Sequence, residues 1–348
     1  MMIDYTQCSI DKVSVHHVGN KSNGEDLQIS KTSLDTSDVM LRDLLVRFFL
    51  PPFTSGEFYN FTFSNEDFKL NPLYQYATQV FSDADLHINS IHIARHLYEM
   101  SGHPQIKAGD LFVVRFSNLF IGEEKVNALG IFKSETRQSF LKLNVAQDHF
   151  SLNYEDGINI EKLDKGCLIF NTGRNSGYVV SIVDKLNKST EAQFWKDYFL
   201  MLKPCNDDYH QTKDFLTLTR NFATKRLPED FEVGRTGQID VLNRSLDYFK
   251  THESFDKEEF EQVVFQDPDM IQSFRKFDAA YREEHEVEVE GNFDISVQAV
   301  KKQSRIFKSV LKLDKNFHIY IHGDREMIEQ GIDPDGRKFY KIYYQHEE

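Results

Sequence analysis

Cysteine is scarce in this chain. Cys8, Cys167 and Cys205 are its only three, and they stand far apart without motif spacing. That argues against a disulfide framework or a thiolate zinc site, and the expected compartment is a reducing cytoplasm. No run of 18 apolar residues occurs, so no transmembrane helix is expected. The opening "MMIDYTQCSIDKV" lacks the basic and apolar regions of a secretory signal. Neither a GxGxxG following a strand nor a GxxxxGK[ST] loop is present. "NTGRNSG", with Arg174 between two glycines, reads as a hairpin turn rather than a phosphate cradle. His92 and His96 are spaced i, i+4 with His87 nearby, but no HExxH glutamate or third ligand accompanies them. "CNDDYH" reads as a turn with acidic helix capping, and no carboxylate cluster suits a two-metal nuclease. No catalytic residue, metal or cofactor is therefore assigned. Positive charge is also in deficit: 41 Lys and Arg oppose 55 Asp and Glu, for a net charge of -14. Such a balance opposes indiscriminate nucleic-acid binding.

What is present is an apolar pattern that changes period along the chain. "CSIDKVSVHHV" alternates, with a slip near Asp11, and "DLQISKTSL" follows across a turn as a hairpin partner. Ser37 or Asp38 can cap a helix carrying Met40, Leu41, Leu44, Leu45 and Phe48, which Pro51 and Pro52 stop. Helices are expected near 71–81 and 85–99. Strands follow in "GDLFVVRF", "KVNALGIFKS", "SFLKLNV" and the "CLIFNTGRNSGYVVSIV" hairpin. From about 190 the spacing becomes helical: Phe215, Leu218 and Phe222, then Ile239, Leu242, Leu246 and Phe249. Asp256 with Glu259 resembles a capping box, and Asp267 precedes Pro268 at a helix start. "NFDISVQAV" and "FHIYIHG" alternate as strands, and "RKFYKIYY" follows the turn "DPDG". The fold class is α+β: a mainly antiparallel N-terminal sheet with helices over 1–187, then a C-terminal domain over 188–348. The latter comprises a helical lobe at 188–285 and a β-hairpin segment at 286–348.

One stretch breaks the acidic background. "VKKQSRIFKSVLKLDKN" carries Lys301, Lys302, Arg305, Lys308, Lys312 and Lys315 against a single acid, Asp314. As a helix, Lys301, Arg305, Lys308, Lys312 and Lys315 would form one stripe. As strands, only Lys308 and Lys312 share a face. The hairpin reading is favoured for 305–321, because aromatic and β-branched residues dominate there and the turn is well placed. The six cations are the candidate phosphate contacts. Arg220, Lys225 and Arg226 form a weaker candidate group. His318 and His322 share parity on the last hairpin and can join the basic face. The acidic "EEHEVEVE" is read as a solvated segment that could compete for that patch.

The order of these segments resembles the bacterial nucleoid-associated protein family of the NdpA type. The resemblance is carried by "SIDKVSVHHVGNK", "IARHLYEMSGHPQIKAGDLFVVRF", "FWKDYFLMLKP", "TKDFLTLTRNF" and "SRIFKSVLKLDKNFHIYIHG", and it covers nearly the whole chain. It implies a nucleoid location in a bacterial cytoplasm and binding of double-stranded DNA without a known reaction. It supplies no residue-level contact map, so the candidate site rests on charge. The alternative expectation is an interaction module, its acidic helical lobe docking on a basic DNA-processing protein such as a topoisomerase. No membrane partner is expected, and homo-oligomerisation is left open.

Overall fold

The computed structural model describes residues 2–146, 149–184, 194–285, 287–307, 310–313, 316–320 and 327–346, with backbone alone for Asn65, Ala146 and residues 310–312. The chain forms two compact units, Met1–Cys205 and Asn206–Glu348. The division expected at 187/188 falls in residues 185–193, outside the described residues. Phe194–Leu200, a π-helical stretch, packs through Phe194, Trp195, Phe199 and Leu200 into a core of the first unit.

In the first unit, the strands are β1 (Ile3–Asp4), β2 (Ser9–Val18), β3 (Leu27–Ile29), β4 (Tyr59–Phe61), β5 (Gly109–Ile121) and β6 (Glu124–Ser134), then β7 (Arg137–Ala146), β8 (His149–Ile158), β9 (Lys165–Phe170), β10 (Val179–Asp184) and β11 (Leu202–Pro204). All but β7 and β8 join one sheet in the order β11-β4-β10-β9-β6-β5-β2-β3, with β1 on β5. Every pairing is antiparallel. The alternation slip near Asp11 is a bulge: the β2–β5 register shifts between Ile10 and Lys12.

The central strands read as almost unbroken apolar runs because both sheet faces are covered. Leu111 and Val113 of β5 belong to one core, whereas Phe112, Val114 and Phe116 belong to the other. The first core is closed by α2 (Pro72–Phe81) and α3 (Leu86–Met100), the second by α1 (Val39–Phe49). The caps follow the side chains. Asp38 accepts from the backbone N–H groups of Met40 and Leu41, and Asn71 from Leu73 and Tyr74. The glycines of "NTGRNSG" are Gly173 and Gly177, at φ 64° and 97°. A Cβ on Gly177 would lie 2.7 Å from the Phe61 carbonyl oxygen, so this segment is a tight hairpin turn pressed against β4.

The second unit is helical: α4 (Asp208–Asn221), a π stretch Phe222–Arg226, α5 (Leu227–Phe231), α6 (Arg235–Thr251), α7 (Lys257–Val264), α8 (Pro268–His285) and α9 (Val297–Ser304). Phe215 stands at its centre, its ring 4.4 Å from Phe255, 5.0 Å from Phe260 and 6.0 Å from Phe249 and Phe274. Asp256 accepts from the Glu259 N–H, and Asp267 from those of Asp269 and Met270, as expected of N-caps. The return arm of a capping box is replaced, since the Asp256 N–H donates to the Tyr248 hydroxyl, which in turn donates to Glu259. The short strands β12 (Ser254–Asp256) and β13 (Asn292–Asp294) pair with each other. Two hairpins follow, β14 (Val310–Leu313) with β15 (Phe317–Tyr320), and β16 (Ile328–Ile332) with β17 (Lys338–Ile342). They rest on Ile239 of α6 through Leu313, Ile319, Ile328 and Tyr340.

One expected strand is corrected. "NFDISVQAV" is extended only at 292–294, and residues 297–304 are helical. Ser296 accepts from the Ala299 N–H as N-cap, while its own N–H donates to Thr212 Oγ1. Ala299, Val300 and Gln303 are then buried at helical spacing. Alternation over so short a window loses to a cap and a core face with period 3.6. None of the described helices is long and apolar enough to cross a membrane.

Candidate nucleic-acid interface

The helix α9 turns its apolar side inward and its basic side outward. Lys301, Lys302 and Arg305 are exposed, whereas Ala299, Val300, Gln303 and Phe307 are buried. The spacing i, i+4 puts Lys301 and Arg305 on one face, with Lys302 three residues from Arg305. Neither Lys301 nor Arg305 has an ion-pair partner among the described residues. The Lys302 ammonium stands 5.8 Å from the centre of the Tyr209 ring, at the start of α4. These cations also occupy the last turn of α9, where positive charge complements the helix dipole.

Helix and hairpin thus share the basic stretch: Lys301 and Lys302 lie on α9, and the hairpin begins at Val310. Lys308, Lys315 and His322 lie outside the described residues. Lys312 is described by backbone alone and stands opposite the exposed His318 in the β14–β15 register.

The second group is separate. Arg220 lies at the far end of α4 from Tyr209, about 16 Å along the axis at 1.5 Å per residue. That exceeds the screening length of about 8–10 Å. Arg226 is held by Asp230 at 2.9 Å and Glu229 at 3.6 Å, so its charge is engaged locally. Arg220 and Lys225 are exposed.

Acidic groups gather at the same end of α4 as Lys302. Asp207 caps the helix and also bonds His210 Nδ1 at 2.9 Å. The Asp208 carboxyl is pushed up by partial burial, then by Asp294, Asp207 and Glu290. Charge counting along the sequence does not place these acids beside the basic helix, because Glu290 and Asp294 reach α4 only through the fold.

The histidines have structural partners. The His92 ring stacks on Tyr76, and His96 Nε2 lies 3.3 Å from the Phe199 carbonyl oxygen. No group of three or more His, Cys, Asp or Glu suited to a metal occurs among the described residues. His16 is buried, and its Nδ1 accepts from the Ser30 N–H at 3.2 Å. Its Nε2 is therefore the donor, to Ser90 Oγ at 2.8 Å. Burial, then the neighbouring His87, lowers its pKa to about 4. Unfolded, the same group takes a proton near pH 6.5. Stability from neutral His16 is therefore complete above about pH 6.5 and is lost as pH falls towards 4. His16→Gln is expected to flatten the decline in melting temperature between pH 6.5 and 4.5. An unchanged slope would remove His16 as its cause.

No curated protein matches the chain. The family model described as nucleoid-associated protein YejK matches residues 14–340. The match runs through the antiparallel sheet from Ser14 of β2 onward, the helical unit with its exposed basic helix, and the terminal hairpins as far as Tyr340 in β17, so this chain belongs to the nucleoid-associated protein YejK family.

Proposed function

We propose that the protein serves at the bacterial nucleoid, in the cytoplasm, by binding double-stranded DNA largely through phosphate contacts and without an enzymatic reaction. Family membership supports the nucleoid role. The observation carrying the DNA contact is the exposed face of α9, where Lys301 and Arg305 have no internal counter-charge among the described residues. Phosphate contacts hold a protein on the duplex without reading bases, so binding would tolerate sequence. Lys302, Lys308, Lys312 and Lys315 complete the proposed set.

Each neutralised phosphate contributes about -0.9 to the slope of log affinity against log salt, so six contacts give about -5. Fluorescence anisotropy with a labelled duplex at several salt concentrations measures it. Lys301→Ala with Arg305→Ala is expected to flatten the slope by about 2 and to weaken binding to unrelated sequences equally. Unchanged affinity and slope would remove the patch from the interface, and magnesium-dependent plasmid cleavage would count against a non-enzymatic role.

A second reading has its own support in the acids around Asp208. These would dock a basic DNA-processing protein, such as a topoisomerase, that brings the chain to the nucleoid. A partner retained after nuclease treatment favours this reading, and loss of every partner with nuclease opposes it.

A further inference from the structure

Strands β7 and β8 leave the main sheet and, among the described residues, pair only with each other. Their register sorts the side chains strictly. Leu141 faces Tyr154, Leu143 faces Leu152, and Val145 faces Phe150, so six large apolar groups fill one face. The opposite face carries Lys142, Asn144, Ser151, Asn153 and Glu155, with Lys142 and Glu155 paired at 3.0 Å. Phe140 lies over Gly157 there, where a Cβ would stand 2.9 Å from its ring.

Among the described residues nothing covers the apolar face. Its six side chains are between 59% and 73% exposed. A two-stranded ribbon with one apolar face is marginal in water unless that face packs on something. A contiguous apolar surface above a few hundred Å² is also uncommon on a monomer. Six such groups present area of the order of the ~800 Å² per partner that a standard interface buries.

We propose that this face binds the same face of a second copy of the chain, forming a two-fold dimer whose ribbons stack as two layers. The patch is self-complementary about its middle pair, Leu143 and Leu152, which is what an isologous contact requires. No charged residue interrupts the three apolar pairs, so two acidic chains meet there without opposing charges in the contact. Among the described residues the nearest charge on that face is Asp156, which accepts from Ser139 Oγ at 2.6 Å. A carboxylate at this place suits the rim of a protein contact and opposes an anionic bilayer.

Sedimentation equilibrium of the full chain at micromolar concentration tests the proposal. Wild type is expected at twice the chain mass, and Leu143→Lys with Leu152→Lys at the single mass. Because both side chains are exposed in the single chain, the variant is expected to keep the Trp195 fluorescence of wild type, showing that the first unit still folds. Leu143→Cys is expected to give a covalent dimer on mild oxidation, whereas Lys142→Cys on the polar face is not. A monomeric wild type overturns the proposal, as does a dimer indifferent to the lysine pair or equal cross-linking from both faces. A monomer that floats with phosphatidylglycerol vesicles would make the face a lipid-binding one instead.

Discussion

Glu135→Ala is expected to destabilise the first unit by about 3–5 kcal/mol, the cost of leaving buried charges uncompensated. Lys133 of β6 and Lys165 of β9 face each other across the strand pair, a like-charge juxtaposition that opposes pairing by itself. Both are buried, at 1% and 3% exposure, and Glu135 stands between them. Its carboxylate lies 3.0 Å from the Lys133 ammonium and 2.7 Å from that of Lys165. The buried Asp164 holds the same corner by accepting from the N–H groups of Glu135 and Thr136 at 2.7 and 2.9 Å. Removing Glu135 takes the shared carboxylate away from two buried ammonium groups at the base of the β7–β8 ribbon. Denaturant unfolding followed by Trp195 fluorescence measures the loss, since this single tryptophan is buried in the first unit. Converting Lys133, Glu135 and Lys165 together to apolar residues of similar size is expected to cost far less than the single change. A loss under about 1 kcal/mol for Glu135→Ala would show that water reaches the lysines and that the corner is not sealed.

Phe215→Ala is the second large change, expected to cost the second unit about 3–5 kcal/mol by lost burial and the cavity left behind. Phe215 is fully buried and touches rings from α6, β12, α7 and α8, so no single neighbour can move in to fill the space. The same helix supports α9 through Tyr209 beside Lys302 and Thr212 beneath Ser296. Loss of this core is therefore expected to weaken DNA binding along with stability. Trp195 reports the first unit, so circular dichroism is expected to show an earlier transition than Trp195 fluorescence. Coincident, unshifted transitions would place Phe215 outside the element that limits the second unit.

Much of this fold is legible in the sequence because its signals are local. Asp38, Asp256 and Asp267 announce helices by capping backbone N–H groups two or three residues ahead. The slip at Asp11 marks a bulge because strand side chains alternate strictly, and an extra residue must break that period. The stripe of Met270, Phe274, Phe277 and Tyr281 marks the core face of α8 for the corresponding helical reason. "NFDISVQAV" misleads because alternation over a few residues carries less weight than the Ser296 cap and a core that recurs at helical spacing.

The basic stretch was visible as composition, whereas its geometry was not. Six cations against one acid can be counted along the chain, but whether Lys301 and Arg305 share a face depends on the helix that forms there. The acids near α4, the pairing of Arg226 with Asp230, and the distance from Arg220 to Lys302 all depend on which elements meet. Most element types, the α+β class and the excess of positive charge near residue 305 can be read from the chain alone, since propensity, capping and net charge act over a few residues; residues 297–304 are the exception. That Lys133 and Lys165 share one buried carboxylate, and that Leu143 and Leu152 form a bare apolar face, follows from the assembled fold. Strand register brings together residues many positions apart, and burial depends on what covers a face, which no local pattern encodes.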